Sequence, residues 1–226
     1  MRAAYLAQDR ADIGEAVKSL SRVMKEPNKA DFEQLKRLGR YLVGKPRVVT
    51  EFKTQHMPTE VTVFNDSDYA GCLATRKSTT GMVAMLGKHC VKHSSHLQST
   101  LSLSVGESEW YALVKGCAVG LGLQSLLKDW GVDIKVRIKT DSSAAIGIGN
   151  RRGLGKLRHV QTRYLWVQER IAHKDLTVAK VHTSVKVSDM LTKPMSGEEL
   201  RKFSEMIGQY FHEGRSDTAK KLIGRK

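Results

Sequence analysis

The stretch Val61-Thr62-Val63-Phe64-Asn65-Asp66-Ser67-Asp68-Tyr69-Ala70-Gly71 governs how the rest of the chain is understood. Val61 to Phe64 are β-branched or aromatic, the residue types that fit a pleated surface. Asn65, Asp66, Ser67 and Asp68 are expected to break that run, because Asn, Asp and Ser bond their own backbone in turns. A strand that ends in carboxylates is also a way of holding cations at the edge of a sheet. The choice between turn and site depends on what the rest of the chain supplies as partners for Asp66.

The chain has 226 residues, enough for one sizeable domain with an appendage. A hydrophobic content of 40% supports a core, and no run of eighteen apolar residues reads as a membrane span. The start, MRAAYLAQDRADIGEAV, carries acids early and lacks the apolar stretch of a secretory signal. Cys72, Cys90 and Cys117 are odd in number and widely spaced, so they read as reduced thiols of an intracellular protein. The formal net charge is +15. Spread along the chain, it points to a polyanionic partner, nucleic acid before a membrane surface.

On the N-terminal side of Asp66, residues 1–45 carry apolar positions at helical spacing in two runs. Ile13, Ala16, Val17, Leu20, Val23 and Met24 form the first, and Phe32, Leu35, Leu38, Tyr41 and Leu42 the second, divided by Pro27. From Pro46 the period becomes two, with strands expected at residues 47–52, 61–64, 81–86 and 90–92. A long helix at 105–130, a strand at 134–140, a short helix from Asp141 and a helix at 159–172 follow. A strand at 176–181 precedes a helical turn opened by Asp189, and Leu200, Phe203, Met206, Ile207, Tyr210 and Phe211 mark a last amphipathic helix. Strands first and then alternating helices and strands make an α/β chain with a mixed sheet. The division is a helical segment at 1–45, a main domain at 46–196, and a C-terminal helix with a basic tail at 197–226.

Four acids stand out, each with an ordinary structural explanation beside the functional one. Ser104 and Glu107 have the spacing of a capping box, in which Glu107 reaches back to the Ser104 amide. That frees Glu109, which falls on the helix face shared by Ala112, Leu113, Gly116, Gly120, Leu123 and Leu127. A carboxylate on a buried face needs a cation or strong hydrogen bonds. Asp141 ends a strand in which Ile134, Val136 and Ile138 alternate with cations, and it is placed to cap the next helix. Asp189, before MLTKP, has the same default as a cap. Their joint placement, with Asp66, is what capping does not explain. Clustered carboxylate oxygens suit magnesium, with manganese as the alternative.

At this point the chain resembles a known family. VTVFNDSDYAG, RKSTTGMVAMLG, SLSVGESEWYAL, KTDSSAAI, LRHVQTRY and SDMLTKPM are similar, in the same order, to motifs of the ribonuclease H domain of copia-type retrotransposon Pol polyproteins. The family forms are close to YSDADWAG, RKSTSGY, LSSTEAEYMAL, CDNQSAI, KHIDIRYH and ADILTKPL. The likeness covers residues 55–196, and residues 1–45 resemble the segment that joins the reverse transcriptase to this domain. The resemblance implies a five-stranded mixed sheet flanked by helices, with an N-terminal helical appendage. It carries over Asp66, Glu109, Asp141 and Asp189 as catalytic, metal-holding acids, with Asp68 outside the metal's contacts. It implies two Mg²⁺ ions, about 3.5–4 Å apart in sites of this kind, and hydrolysis of the RNA strand of an RNA–DNA hybrid. The implied partners are that hybrid and the reverse transcriptase domain of the same polyprotein, with no membrane. The implied location is intracellular, in a cytoplasmic virus-like particle or the nucleus.

Departures from the family forms touch substrate contacts more than chemistry: Tyr69 stands where Trp is usual, Gln161 where an acid is usual, and His182 where Pro is common. No YxDD signature is present, so polymerisation is not expected. The rival to an enzyme is a domesticated, inactive domain that only binds nucleic acid. In NRRGLGKLRH, residues 150–159, Arg151, Arg152, Lys156 and Arg158 surround two glycines and are expected to grip phosphates of the hybrid. His89, Cys90, His93 and His96 lack the paired spacing of a zinc site, and Gly153, Gly155 and Lys156 lack that of a phosphate loop.

Overall fold

The computed structural model describes residues 2–155 and 159–214. Three helices come first, α1 (Arg2–Asp9), α2 (Gly14–Arg22) and α3 (Lys29–Gly44), with a 3-10 turn at Ala11–Ile13. Then follow β1 (Arg47–Thr50), β2 (Glu60–Asp68), β3 (Thr79–Leu86) and β4 (His89–Leu97). Helix α4 (Val105–Asp129) leads to β5 (Lys135–Thr140), α5 (Ser143–Asn150), α6 (Trp166–Ala172) and β6 (Leu176–Lys180). After 3-10 turns at Thr183–Val185 and Val187–Leu191 come α7 (Gly197–Met206) and β7 (Gln209–His212).

Five strands form one sheet in the order β4-β3-β2-β5-β6. β2 is antiparallel to β3, and β3 to β4, whereas β2, β5 and β6 run parallel. Parallel neighbours require crossovers, and α4 with the α5–α6 segment supplies them. This is the mixed sheet flanked by helices that the resemblance implies.

Each face of the sheet has its own core. Trp110, Leu113 and Cys117 of α4 pack on Val61, Val63, Val136 and Ile138. Gly120 allows the close approach, since a Cβ there would fall 2.6 Å from Val136 Cγ1. On the other face Val83 and Met85 meet Ala11, Val187, Met190, Leu191, Phe203 and Ile207. Helix α4 is long and apolar enough to cross a bilayer by length and composition alone. Its apolar side is the one buried on the sheet, which makes it a core helix.

Several local expectations are corrected. Asn65, Asp66, Ser67 and Asp68 do not break the strand; they pair with Met82, Gly81, Thr80 and Thr79 of β3. Cross-strand pairing satisfies their backbone and overrides the local preference for a turn. The expected strand at 47–52 does form, but β1 pairs with β7 rather than joining the main sheet. That pairing makes Tyr210 and Phe211 strand residues, although their spacing suits a helix. The expected helix at 159–172 is a 3-10 turn at Thr162–Tyr164 followed by the shorter α6. Residues 1–45 hold three helices, not two.

The two ends of the described chain are tied together. Gln209 donates from Nε2 to Asp9 O at 2.7 Å and accepts from Ala11 N at 3.2 Å. Among the first helices, Arg10 and Asp12 form a buried ion pair at 2.6 Å, and the Tyr41 hydroxyl donates to Asp12 at 2.8 Å.

Candidate active site

β2 and β5 run parallel side by side, so their C-terminal ends lie together. Asp66 comes near the end of β2, and Asp141 is the first residue after β5. Glu109 projects from the second turn of α4. Oxygens of Asp66, Glu109 and Asp141 lie within 4.8 Å of one another. Asp189 arrives from the opposite face on the Val187–Leu191 turn. That turn can sit down on the sheet because Gly81, the β3 partner of Asp66, has no side chain. A Cβ at Gly81 would fall 2.6 Å from both Ser188 O and Thr192 Cγ2.

Asp141 is not the helix cap. Ser142 is, its hydroxyl accepting from Ala145 N at 3.1 Å, so the Asp141 carboxylate is released toward the cluster. Asp189 is not a cap either; it lies inside its 3-10 turn and is 2% exposed. Asp66 and Glu109 are 4% and 6% exposed.

An ammonium stands among these acids. Lys186 Nζ lies 2.5 Å from Asp66 Oδ1, 2.7 Å from Asp141 Oδ2 and 3.0 Å from Asp189 Oδ1. The first two are hydrogen bonds, and the third is an ion-pair contact without that alignment. Lys193 pairs with Asp189 Oδ2 at 2.8 Å, and the Thr192 hydroxyl donates to Asp66 Oδ2. Sequence reasoning missed Lys186, Thr192 and Lys193. The i, i+3 spacing of Lys186 and Asp189 was a signal, but a loop pair of this kind resembles ordinary surface charge.

The electrostatics follow from crowding. Burial, then the Asp66 charge, pushes the Glu109 carboxyl up to about 8, against the pull of Lys186. Burial and Asp66 also raise Asp189, although Lys193 and Lys186 oppose them. For Lys186 burial acts downward, but the charge of Asp66 and the hydrogen bonds of Asp141 and Asp66 outweigh it and hold the ammonium charged.

The donor set suits a hard divalent cation, since every ligand atom is a carboxylate oxygen. Glu109 Oε2 is buried without a hydrogen-bond partner, an orphan that such an ion would satisfy. No other converging group of His, Cys, Asp and Glu occurs among the described residues, and His89, Cys90, His93 and His96 do not form one.

Glu107, two residues before Glu109, has a different surrounding. The Ser104 hydroxyl accepts from Glu107 N at 3.2 Å, as capping requires. The Glu107 carboxylate, however, reaches the Leu103 amide at 2.9 Å rather than that of Ser104. It also takes the Tyr111 hydroxyl at 2.6 Å and pairs with His159 Nε2 at 2.9 Å. In the basic segment, Arg151 donates to Leu154 O at 2.6 Å and Arg152 is exposed. Lys156 and Arg158 lie outside the described residues.

Fold and site together define an α/β domain, a five-stranded mixed sheet flanked by helices, with a buried carboxylate cluster at the C-terminal ends of β2 and β5. The chain is homologous, along about nine tenths of its length, to copia-type Pol polyproteins of plant transposons. It is 29% identical over 203 residues to the retrovirus-related Pol polyprotein from transposon TNT 1-94 of Nicotiana tabacum, covering 89% of this chain and 15% of that one. It is 28% identical over 207 residues to the Pol polyprotein from transposon RE1 of Arabidopsis thaliana, covering 90% and 14%. The chain thus spans only a small part of these relatives' length. No family model matches it. Among solved structures, LC11-RNase H1 in complex with RNA/DNA hybrid aligns with a TM-score of 0.40 at 17% identity, over 58% of this chain and 93% of that one.

Proposed function

We propose that the chain is a metal-dependent endoribonuclease that cleaves the RNA strand of RNA–DNA hybrids. The observation that carries this reading is the convergence of Asp66, Glu109 and Asp141, three carboxylates from three separate elements. The likeness to transposon Pol polyproteins and the net charge of +15 support a nucleic-acid substrate. In this reading Asp66, Glu109 and Asp141 hold the divalent cation, magnesium first and manganese as the alternative, with Asp189 as the fourth acid. A cation bound there would supply Lewis-acid charge to the scissile phosphate and an activated water.

The chain's own residues prepare that step. Thr192 fixes the Asp66 carboxylate through its hydroxyl. Burial and the Asp66 charge favour a proton on the Glu109 carboxyl, and a bound cation would take that proton's place. Exposed cations such as Arg152 position the hybrid through phosphates, which set register without sequence preference. A reverse transcriptase domain of the same polyprotein is the implied neighbour, delivering hybrid to the site.

A second reading, a non-catalytic domain that binds nucleic acid, draws on Lys186, whose ammonium already neutralises part of the cluster. Incubation of the full chain with a labelled hybrid, in Mg²⁺ or in chelator, separates the two. Cleavage in Mg²⁺ and its loss in chelator are expected. Intact hybrid that nonetheless stays bound would select the second reading.

A further inference from the structure

Lys186 has no part in the chemistry so far, yet it is among the most buried charges in the molecule, 3% exposed. Lysine is rarely buried unless paired. Here three carboxylates pair with it, from β2, from the end of β5 and from its own turn. Its backbone is clipped on both sides: Lys186 N donates to Thr183 O at 3.1 Å, and Asp189 N donates to Lys186 O at 3.1 Å. Those bonds hold it between two 3-10 turns, so the ammonium is delivered by fixed backbone rather than by a mobile arm.

Lys186 spans the cluster, with hydrogen bonds to Asp66 and Asp141 and an ion-pair contact to Asp189, and the two ends of the cluster differ in what else is there. Asp189 has an ammonium on each oxygen, Lys186 on Oδ1 and Lys193 on Oδ2. A divalent ion added at Asp189 would sit against both of these positive charges. On the other side, Glu109 Oε2 is buried and unpartnered, and its carboxylate lies within 4.8 Å of oxygens of Asp66 and Asp141. Each carboxylate oxygen has more than one acceptor direction, so Asp66 can face both sides. With every carboxyl ionised, the four acids and two lysines leave two negative charges, the charge that one divalent ion neutralises.

We propose that Lys186 permanently occupies the place of one of the two cations that a carboxylate cluster of this kind would otherwise take. The chain then binds a single divalent ion beside Lys186, on Asp66, Glu109 and Asp141, with Asp66 and Asp141 shared between ion and ammonium and Asp189 contacting Lys186 and Lys193. This inference rests on reading the cluster as a metal site, and it replaces the second ion of that reading with a residue of the chain.

Ion counting tests it without reference to turnover. MnCl₂ is titrated into the full chain without nucleic acid, with bound ions counted by calorimetry and free Mn²⁺ by electron paramagnetic resonance. The wild-type chain is expected to bind one ion. Lys186→Gln is expected to bind two, and Lys186→Gln with Asp189→Asn to return to one. Thermal unfolding in chelator checks that the variants fold, and Lys186→Gln should melt lower than wild type there and recover on adding Mn²⁺. Two ions on the wild-type chain would overturn the inference while leaving the proposed reaction intact, and this count needs no variant. No bound ion would also overturn it, and so would a single ion on folded Lys186→Gln. One ion on the wild-type chain without any hybrid cleavage would keep the inference and remove the reaction.

Discussion

Glu107 and Glu109 stand two residues apart on one helix, both almost fully buried at 1% and 6% exposure, and they are opposites. Glu107 is saturated: Leu103, Tyr111 and His159 all donate to it or pair with it. Glu109 keeps an oxygen with no partner and faces two other acids. Burial alone therefore does not mark a functional acid. What separates the two is whether the fold has supplied donors, because an unsatisfied buried carboxylate is retained only where something else offsets its cost. One glutamate builds the start of α4, and the other is the one the proposed function assigns to a cation.

The strongest consequence of this contrast is for hybrid cleavage. Glu109→Gln or Asp66→Asn should lower the rate by about 10³-fold or more, since a bound cation contributes several kcal/mol of transition-state stabilisation. Glu107→Gln, assayed below its melting temperature, should cleave within a few-fold of wild type. Equal losses at both glutamates, in folded variants, would erase the distinction.

Stability should show the reverse order. Glu107→Ala leaves the buried Tyr111 hydroxyl and the part-buried Leu103 amide without their acceptor, and the expected cost is about 1–3 kcal/mol, the scale of one stranded buried donor. Glu109→Gln in chelator should not destabilise, because it removes a carboxyl whose ionisation is opposed first by burial and then by the charges of Asp66 and Asp141. Chemical denaturation of the metal-free variants measures both.

Much of the fold was legible in the sequence because period two and period 3.6 survive in Val61–Phe64 and along α4. Two of the failures come from strand partners that local sequence does not show, and a third from a competing neighbour. Asn65 to Asp68 looked like a turn because the pairing with Met82 to Thr79 is invisible locally. Tyr210 and Phe211 looked helical because β1, their partner, lies more than 150 residues earlier. Asp141 looked like a cap, although Ser142 beside it suits the role equally well. The acids themselves were found through the motif likeness. Lys186 was not, since nothing in TSVKVSD says that a loop lysine will be buried under three carboxylates.

A third, smaller effect separates the two glutamates by pH. The Glu109 carboxyl is raised from the ordinary 4.5 to about 8, so the folded chain binds the extra proton between those values. Its contribution to stability is present below about 4.5 and is lost as pH rises toward 8. Glu107 is shifted the other way: burial acts upward, but the bonds from Tyr111, His159 and Leu103 prevail and lower it. Its contribution is present above 4.5 and is lost as pH falls through the depressed value. In chelator, the advantage of Glu109→Gln over wild type should therefore grow as pH rises from 4.5 toward 8. The deficit of Glu107→Gln should instead shrink in acid. Parallel pH profiles for the two variants would mean that the glutamates share one environment.

The weakest effect tests whether the same rule, satisfied groups build and unsatisfied groups bind, extends from acids to the cations of the 150–155 segment. Gln168 ties this segment to α6, accepting from Gly153 N at 2.9 Å and donating to Ile148 O at 2.9 Å and Gly153 O at 3.1 Å. Arg151 is turned inward within it: its Nη2 donates to Leu154 O, its Nε is buried without a partner, and the guanidinium packs where a Cβ on Gly155 would fall, 2.7 Å from Cζ. Arg152 is exposed beside it. The rule assigns phosphate contact to Arg152 and loop structure to Arg151. Arg152→Ala should flatten the dependence of log Kd on log salt by roughly 0.7–0.9, the scale known for neutralising one phosphate in other nucleic acids. Cleavage at saturating hybrid should change much less than affinity. Arg151→Ala should leave that slope nearly unchanged and lower the melting temperature instead. Binding of a labelled hybrid across a salt series, with the melting curves of both variants, measures this. A slope change from Arg151→Ala but none from Arg152→Ala would confine the rule to the carboxylates of the core.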